Sequence, residues 1–446
     1  MDKKIAYVAV IAAVLVVAAV GAYLVIDGED GGTRAVDMGD VELKVYGNIN
    51  GDRFLDLDDA GMIQDIIDEG ADATEYPLAD ADRDGVLDGD DVALVEDVAA
   101  GRPAVIWHVN FHDVDGDGTM DEEIVSTSFP VTSALTTGSS NTLTMEMMLG
   151  LTDYIKGASY GNTNDMTLLG ATLLDTDRVE RLGTSTMSIP FEDGKVGSSN
   201  IIAEEGVTTV IADWNRSYLT NEADFEKAGV DVVRVSAAAA ERDEIVHSYM
   251  LLGLLFQETE RADELVDLMF SVFDYVEDNV DGEEWPVVAA SSSNGQLSSA
   301  GSDYTRAALM AGGTYGLGSV DFAGSTGIKI ADHPEVYLLD FEYIFHIRNQ
   351  LSYNQTAESV SEDCPPIVAY FDGWKHADTG QYIVCSTMPI CLRVAYIATA
   401  LHPDTVDIDK VDALHQELVD RFYECGTDFD ISGMRFILTP EDMADL

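Results

Sequence analysis

Basic residues are scarce in this chain of 446 residues. It has 24 lysines and arginines against 82 aspartates and glutamates, which gives a formal net charge of −58. A surface with this charge repels polyanions, so neither nucleic acid nor anionic lipid is expected as a partner. The same surface suits divalent cations, a salty medium, or both. Hydrophobic residues make up 46% of the chain, which excludes disorder for the chain as a whole.

Cysteine is also scarce. The four cysteines all lie in the last quarter of the chain, at Cys364, Cys385, Cys391 and Cys425. They form no CxxC pair, so the sequence gives no sign of a zinc site. Outside the cell they would allow one or two disulfides, with three possible full pairings.

No catalytic constellation stands out. The segment Gly157–Gly161 matches the G-x-S-x-G pattern of a nucleophile elbow, but that chemistry needs a helix directly after the serine. Residues 162–165 do not read as the start of such a helix. The eight histidines are scattered and predict no site for a bare metal ion. We therefore expect a protein that is not an enzyme.

Ile5–Ile26 is an uncharged apolar run of 22 residues, long enough to cross a bilayer. Lys3 and Lys4 precede it and acidic residues follow from Asp27, so the positive-inside rule places the bulk of the chain outside the cell. Residues 1–26 are therefore predicted to be a single-pass transmembrane anchor, followed by a linker over 27–44. A cleaved signal peptide is the alternative.

Two acidic segments, Asn48–Asp59 and Asp80–Asp91, repeat at a spacing of 32 residues. Each places oxygen-bearing side chains at positions 1, 3, 5, 9 and 12, and a short helix is predicted after each. Ca²⁺ takes six to eight hard oxygen ligands, and a 12-residue loop can wrap it in this way. The candidate metal ligands are Asn48, Asn50, Asp52, Asp56 and Asp59 in the first loop, and Asp80, Asp82, Asp84, Asp88 and Asp91 in the second.

With Asp at position 12 of both copies, residues 45–103 resemble the dockerin module, a small helical, EF-hand-like domain. The resemblance implies two Ca²⁺ sites and often a cohesin-like surface protein as partner. A third acidic run, Asp113–Asp121, lies between two strand-like segments and has Ile124 at position 12. It predicts a hairpin turn, with cation binding as the alternative.

Apolar residues recur at three- and four-residue steps within Glu258–Val280, which predicts a long helix with Thr259 as its N-cap. Short apolar runs alternate with helical patterns on both sides of it, an α/β signature. We expect two α/β lobes, 104–257 and 281–446, joined by this helix. The alternative is an ordinary core helix inside one large domain.

Several segments resemble the substrate-binding proteins of ABC importers for iron–siderophore complexes and cobalamin. They are Gly138–Asn141 before a helix, Gly206–Ala212, Gly253 with Glu260–Ala262, and Ala398–Pro403. This family implies two α/β lobes joined by one long helix, with the ligand held between them and only small closure. Its first helix often carries an acid that contacts the permease, and Glu146 is the nearest acid here.

The loops that leave the predicted strands are expected to line the cleft. The candidate ligand contacts are Ser139, Ser140, Tyr160, Trp214, Arg216, Ser293, Tyr304 and Trp374. Aromatic rings offer stacking area, and Arg216 can pair with a carboxylate or phosphate. The expectation is a membrane-anchored extracytoplasmic protein that captures a chelated metal (iron–siderophore, haem or corrinoid) for an ABC permease. The alternative is a cell-surface assembly protein that uses its calcium-dependent module.

Overall fold

The computed structural model describes residues 42–115, 119–137, 140–159, 167–168, 171–172, 179–183, 188–192, 195–196, 199–239, 241–280, 285–322, 325–371, 379–423 and 429–446. The predicted anchor and almost all of the predicted linker lie outside these ranges. No helix within them combines the length and apolarity needed to cross a membrane. The chain divides into two compact units, one with residues up to 110 and 122–129, the other with residues 111–121 and 130–446.

The first unit contains two helices and most of a two-stranded sheet. Helices α1 (Leu57–Glu69) and α2 (Gly89–Ala99) pack together, and strands β1 (Ala104–His112) and β2 (Asp121–Phe129) pair. Val45 forms a β-bridge with His108, and the amide of Val109 donates to the carbonyl of Lys44 at 3.0 Å. These backbone bonds are why residues 104–110 group with the acidic loops, whereas the sequence predicted a boundary at residue 103.

The second unit begins with a parallel five-stranded sheet in the order β11–β10–β3–β4–β7. Leu135, Val210 and Phe225 belong to the buried core packed on it. The elements of this part are β3 (Ala134–Thr137), α3 (Ser140–Met148), β4 (Ile155–Ser159), β5 (Thr167–Leu168), β6 (Ala171–Thr172), β7 (Glu180–Gly183), β8 (Phe191–Glu192), β9 (Lys195–Val196), α4 (Ile201–Glu204), β10 (Thr209–Asp213), α5 (Glu222–Lys227) and β11 (Asp231–Val235).

Two helices lead from the first sheet to a second one. They are α6 (Arg242–Leu255) and α7 (Thr259–Asn279). The six apolar positions that predicted α7 are all buried, and it packs against α6. The predicted N-cap is wrong by one residue: Glu258 occupies that position and its side chain makes no capping bond. Residue Gln257 just before it has φ 62°, which makes the reversal between the two helices tight.

The second sheet has the order β14–β12–β16–β17–β18, parallel except for its last strand. Its elements are β12 (Val287–Ser291), β13 (Gln296–Ser298), α8 (Asp303–Met310), β14 (Thr314–Tyr315), β15 (Gly327–Lys329), β16 (Tyr343–Arg348), α9 (Ala357–Asp363), α10 (Pro365–Phe371), β17 (Gly380–Cys385), α11 (Ile390–Leu401), α12 (Ile408–Phe422), β18 (Ile437–Leu438) and α13 (Pro440–Ala444). Helices α11 and α12 also pack against α7.

One stretch that reads as a strand is not one. The apolar residues of Val336–Asp340 favour a strand, but Pro334–Leu338 forms a 3₁₀ helix, and Leu338 is 84% exposed. Proline at the first position favours a helical turn because its φ is already fixed near the helical value. The strand of this region is β16, which begins at Tyr343. Cys364, Cys385 and Cys391 are buried free thiols, so no disulfide joins them.

Gly253 is where α6 and α7 come closest. A Cβ built on it would lie 2.5 Å from the Cβ of Ala262. In a free helix Gly→Ala stabilises by about 0.5–1 kcal/mol, but overpacking a dense contact costs about 1–3 kcal/mol. We expect Gly253→Ala to lower the free energy of unfolding, measured by denaturant titration. Gly301→Ala is the control, since no atom lies within 4 Å of its added Cβ; equal effects of the two substitutions would contradict this packing.

Candidate functional site

In the first unit, the two acidic loops have the same internal hydrogen-bond pattern. Asp59, at position 12 of the first loop, accepts from the amides of Ile49 at 3.1 Å, Asn50 at 3.3 Å and Asp56 at 3.1 Å. Asp91 does the same in the second loop, from Asp82 at 3.3 Å and Asp88 at 2.9 Å. Asp56 and Asp88 cap the two following helices through matching capping boxes. Each position-12 carboxylate therefore closes its loop onto the start of its helix.

The residue at position 1 is buried in both loops. Asn48 donates to the carbonyl oxygens of Leu43 and Asp52, and Asp80 accepts from the amide of Gly85 at 3.1 Å. The remaining oxygen, Oδ1 in each case, has no hydrogen-bond partner. A buried oxygen without a donor is costly unless a cation faces it.

The second loop also gathers its carboxylates. One oxygen from each of Asp80, Asp82 and Asp84 lies within 4.8 Å of the other two. Burial raises the pKa of Asp59 to about 6, and it raises the pKa of Asp91 as well. Carboxylates crowded in this way favour a bound proton or a bound cation, and the donor set in each loop fits a hard cation.

In the second unit, the strand order of each sheet reverses at one point. In the first sheet this point lies between β3 and β10, and in the second between β12 and β16. Ligands of open α/β sheets bind outside the carboxyl ends of the strands at such points. The residues there are Thr137 and Asp213 in the first sheet and Ser291 and Arg348 in the second.

Charges from the second half of this unit act on the end of β10. Burial raises the pKa of Asp213 to about 7, and the negative charge of Asp303 on α8 adds to this rise. Burial raises the pKa of Tyr218, which belongs to the loop after β10, and the negative charges of Asp213, Tyr304 and Asp303 add to this rise. The carboxyl end of β10 and the start of α8 are therefore close neighbours.

Arg234 organises the loop after β10. Its fully buried guanidinium pairs with Glu222 at 2.7 Å and donates to the carbonyl oxygens of Asp213, Tyr218 and Leu219 at 2.8–3.2 Å. All of these partners belong to the protein, so Arg234 is a structural residue that fixes the loop.

Arg348 differs from Arg234 in its partners. It is 7% exposed, and its guanidinium bonds the carbonyl and hydroxyl oxygens of Ser291 and the carbonyl oxygen of Ile347. Across the described residues it has no carboxylate within ion-pair distance. Burial lowers the pKa of Arg348 to about 10. A buried cation without an anion is destabilising on its own, so this position suits an anionic ligand.

A third arginine, Arg393, is also buried. Arg393 on α11 pairs with Asp303 at 2.7 Å, and its guanidinium lies 5.7 Å from the ring centre of Tyr304. The Nε of Arg393 has no hydrogen-bond partner. Tyr304 is half-buried; burial and the charge of Asp303 raise its pKa, and the positive charges of Arg393 and Arg348 offset part of this rise. Tyr304 thus lies among the charged groups at the end of the second sheet.

The other predicted ligand contacts have varied positions. Trp214 is half-buried directly after β10, and Ser293 is half-buried after β12, where its carbonyl accepts from the hydroxyl of Ser291 at 3.0 Å. Arg216 is exposed and donates to the carbonyl of Val114 at 3.1 Å, on the turn after β1. Ser140 begins α3, but its side chain is outside the described part. Ser139, Tyr160 and Trp374 lie outside the described residues as well.

Sequence reasoning missed Asp213, Tyr218, Asp303, Arg348 and Arg393. Asp213 directly follows the apolar run Thr208–Ala212, which reads as a buried strand, and this exit position could have marked it. Arg348 was hidden because β16 was not predicted, and Arg393 because its helix reads as almost entirely apolar.

Glu146 is not a surface acid. It is fully buried on α3, and neither carboxylate oxygen has a hydrogen-bond partner in the described structure. Burial raises the pKa of Glu146 to about 8, and the nearby Thr136 hydroxyl offsets only part of this. Glu146 therefore cannot be the acid that contacts a permease. Ser159, of the G-x-S-x-G match, is also buried, and its hydroxyl donates to the carbonyl of Ser188 at 2.9 Å.

Solved structures share this fold. No protein-family model matches the chain, and no curated protein matches it either. The TroA-like periplasmic binding protein FepB from Veillonella parvula is 15% identical, with a TM-score of 0.50, over 74% of this chain and 99% of that chain. A nickel–histidine complex of CeuE from Helicobacter pylori is 14% identical, with a TM-score of 0.48, over 73% and 98%. The chain thus has the mixed α/β fold of TroA-like periplasmic binding proteins.

Glu146 gives a test of burial at the first sheet. An unfolded glutamate ionises near pH 4, whereas Glu146 keeps its proton up to about pH 8 in the folded protein. The unfolded chain then binds fewer protons in this window, so the free energy of unfolding falls as pH rises from 5 to 8. We expect Glu146→Gln to remove a fall on the order of 4 kcal/mol, measured as the difference between variant and parent.

The matched control is Glu362→Gln, because Glu362 is exposed on α9. It should leave the pH profile of the free energy of unfolding unchanged. A Glu146→Gln profile parallel to that of the parent would mean that this carboxyl is solvated.

Proposed function

We propose that this protein is a membrane-anchored, extracytoplasmic solute-binding protein that captures an anionic metal chelate for an ABC importer. The observation that carries the proposal is Arg348, a buried guanidinium at the strand-order reversal of the second sheet, which has no carboxylate partner within the described ranges. In an α/β binding fold this is the expected ligand position. An anionic chelate held there would form the charge-assisted bonds that the protein does not supply.

The proposed ligand contacts come from both sheets. Arg348 and the free Nε of Arg393 would bind the negative groups of the chelate. Tyr304 and Tyr218 would offer aromatic surface, and Asp213, with its raised pKa, would carry a proton that can be donated to a ligand oxygen near neutral pH. Ferric tricatecholates and the propionates of haem are anionic, and a corrinoid such as cobalamin carries a phosphate group. The proposal therefore extends to iron–siderophore, haem and corrinoid ligands through these negative groups.

Net charge bears on this choice. The formal charge of −58 repels an anion at long range, but exposed charges are screened beyond ~8 Å at physiological salt. A buried guanidinium at contact distance is screened much less, so local pairing can outweigh the distant repulsion. Residues 1–26 would anchor the chain, and the permease would be its partner in the membrane.

A second function is favoured by the acidic loops. We propose that each loop binds one Ca²⁺, through the predicted side chains and the carbonyl oxygens of Phe54 and Val86. The orphaned Oδ1 atoms of Asn48 and Asp80 support this, because each would meet the ion. Calcium would then rigidify a dockerin-like module whose role is assembly with a cohesin-like surface protein.

The chelate proposal is tested by binding. The full chain is titrated with ferric tricatecholate, haem and cobalamin, and affinity is followed by quenching of tryptophan fluorescence. Loss of a charged hydrogen bond costs about 1.5–3 kcal/mol, so Arg348→Met should weaken binding of the best ligand roughly 10- to 100-fold. Arg435→Met is the control, because Arg435 is exposed and its partner is Asp442. Full affinity in a folded Arg348→Met variant would exclude this site.

The calcium proposal is tested by thermal unfolding of the full chain. Calcium should raise the midpoint of the transition that involves the first unit, and a chelator should reverse this. Asp82→Asn with Asp84→Asn should reduce the calcium-induced shift. Asp90→Asn, at the non-ligand position 11, should preserve it. A thermal unfolding midpoint that changes with neither calcium nor chelator would refute calcium binding by these loops.

A further inference from the structure

A third set of carboxylates comes together in the second unit. Asp113 follows β1, Asp121 begins β2, and Asp115 lies in the turn between them. One oxygen from each of the three lies within 4.8 Å of the other two. The sequence predicted a hairpin turn here, and β1 and β2 do flank it as paired strands. The burial of Asp113 favours the alternative, which is cation binding.

Asp113 is 5% exposed, and its Oδ1 has no hydrogen-bond partner in the part of the chain that the structure describes. A buried carboxylate without a partner costs several kcal/mol, and two further carboxylates beside it add repulsion. Arg216 reaches this turn, but its guanidinium is exposed and its contact is the carbonyl oxygen of Val114. A small cation among the three carboxylates would remove both costs.

The turn shares two features with the loops of the first unit. The first residue of each acidic run, Asn48, Asp80 or Asp113, is buried and has an Oδ1 without a partner. In each run a later aspartate also closes the loop through a backbone amide, here Asp121, which accepts from Val114 at 3.0 Å. In three separate segments, the first residue of an acidic run thus has a buried Oδ1 without a hydrogen-bond donor among the described residues.

We infer that Asp113, Asp115 and Asp121 form a third calcium site, distinct from the two acidic loops. Three carboxylates within reach of one point supply the hard oxygen ligands that Ca²⁺ takes.

The bound ion braces the loop that follows β10. The amide of Asp113 donates to the carbonyl of Trp214 at 3.1 Å, and Arg216 holds the neighbouring carbonyl of the turn. An ion that fixes the carboxylates of the turn therefore fixes the partners of residues 214–216. The consequence for ligand capture rests on the proposed function, whereas the calcium site itself does not.

The test is a calcium count on the full chain. Equilibrium dialysis with radioactive calcium is run in about 1 M KCl, where the Debye length is ~3 Å and diffuse binding to exposed acids is suppressed. Asp115→Asn with Asp121→Asn keeps side-chain size and spares the buried Asp113. This double variant should bind one calcium ion fewer per chain than the parent. Asp404→Asn, a change at an exposed aspartate of another loop, should leave the count unchanged.

The test compares the number of calcium ions bound by the parent and by the double variant. The expected difference of one ion does not depend on whether the loops of the first unit bind calcium. Equal counts for the parent and the double variant would overturn the third site. A cooperative unfolding transition of the variant in excess chelator, with a midpoint no lower than that of the parent, verifies that the variant folds.

Hydrogen–deuterium exchange tests the bracing. Calcium should slow amide exchange in residues 213–218 of the parent, where Trp214 bonds Val235 and Tyr218 bonds Asn215. In the double variant calcium should have no such effect, because the ion that fixes the turn is lost. Equal protection in both proteins would show that the loop is held without this ion.

Discussion

The close approach of α6 and α7 is the constraint on which the second unit depends. It exists because Gly253 has no side chain where Ala262 comes near. From this reversal α7 runs on to pack against α11 and α12. Arg261 near its start donates to the carbonyl of Met148 at the end of α3, at 2.7 Å, and to that of Phe422 at the end of α12, at 3.1 Å. One side chain thus ties α7 to a helix from each half of the unit.

This arrangement brings charged residues together at the proposed ligand site. The carboxyl end of β10 and the start of α8 are held close enough for Asp303 to act on Asp213. Three buried arginines serve different purposes there. Arg234 is satisfied by the protein and shapes a loop, Arg393 is paired with Asp303, and Arg348 has no carboxylate partner among the residues that the structure describes. In a chain with so few basic residues, a buried arginine that bonds only neutral oxygens in the described structure is the feature most directly explained by an anionic ligand.

Negative charge poses the opposite problem elsewhere. Within the described residues, three carboxylates lie close together in the second acidic loop and again in the turn after β1, and each group includes a buried oxygen without a hydrogen-bond donor. Hard cations relieve such crowding, and they also convert flexible acidic segments into fixed ones. If these proposals hold, calcium is a structural component in both units. Part of the large negative charge of the chain then comes from the acidic residues of the calcium sites.

Much of the fold could be predicted from local patterns. The period of apolar residues located α7 to within a residue or two, and the spacing of aspartates located both acidic loops. Local sequence patterns failed to predict elements whose structure depends on tertiary contacts. Strand β16 carries His346 and Arg348, which read as polar, yet both are buried in the sheet, where His346 bonds Gln381 and Arg348 bonds Ser291. The sequence patterns missed most residues of the proposed ligand site for the same reason. Its charged residues become neighbours only after the chain folds.

The central claim is that an anion lies between the ends of the two sheets, against Arg348. Anomalous diffraction at the iron edge, from crystals of the protein grown with ferric tricatecholate, locates the metal directly. The account predicts one iron peak whose chelate contacts Arg348 from the second sheet and the loop at Asp213 from the first. An iron peak confined to the acidic loops, or a chelate that contacts neither Arg348 nor that loop, would contradict it.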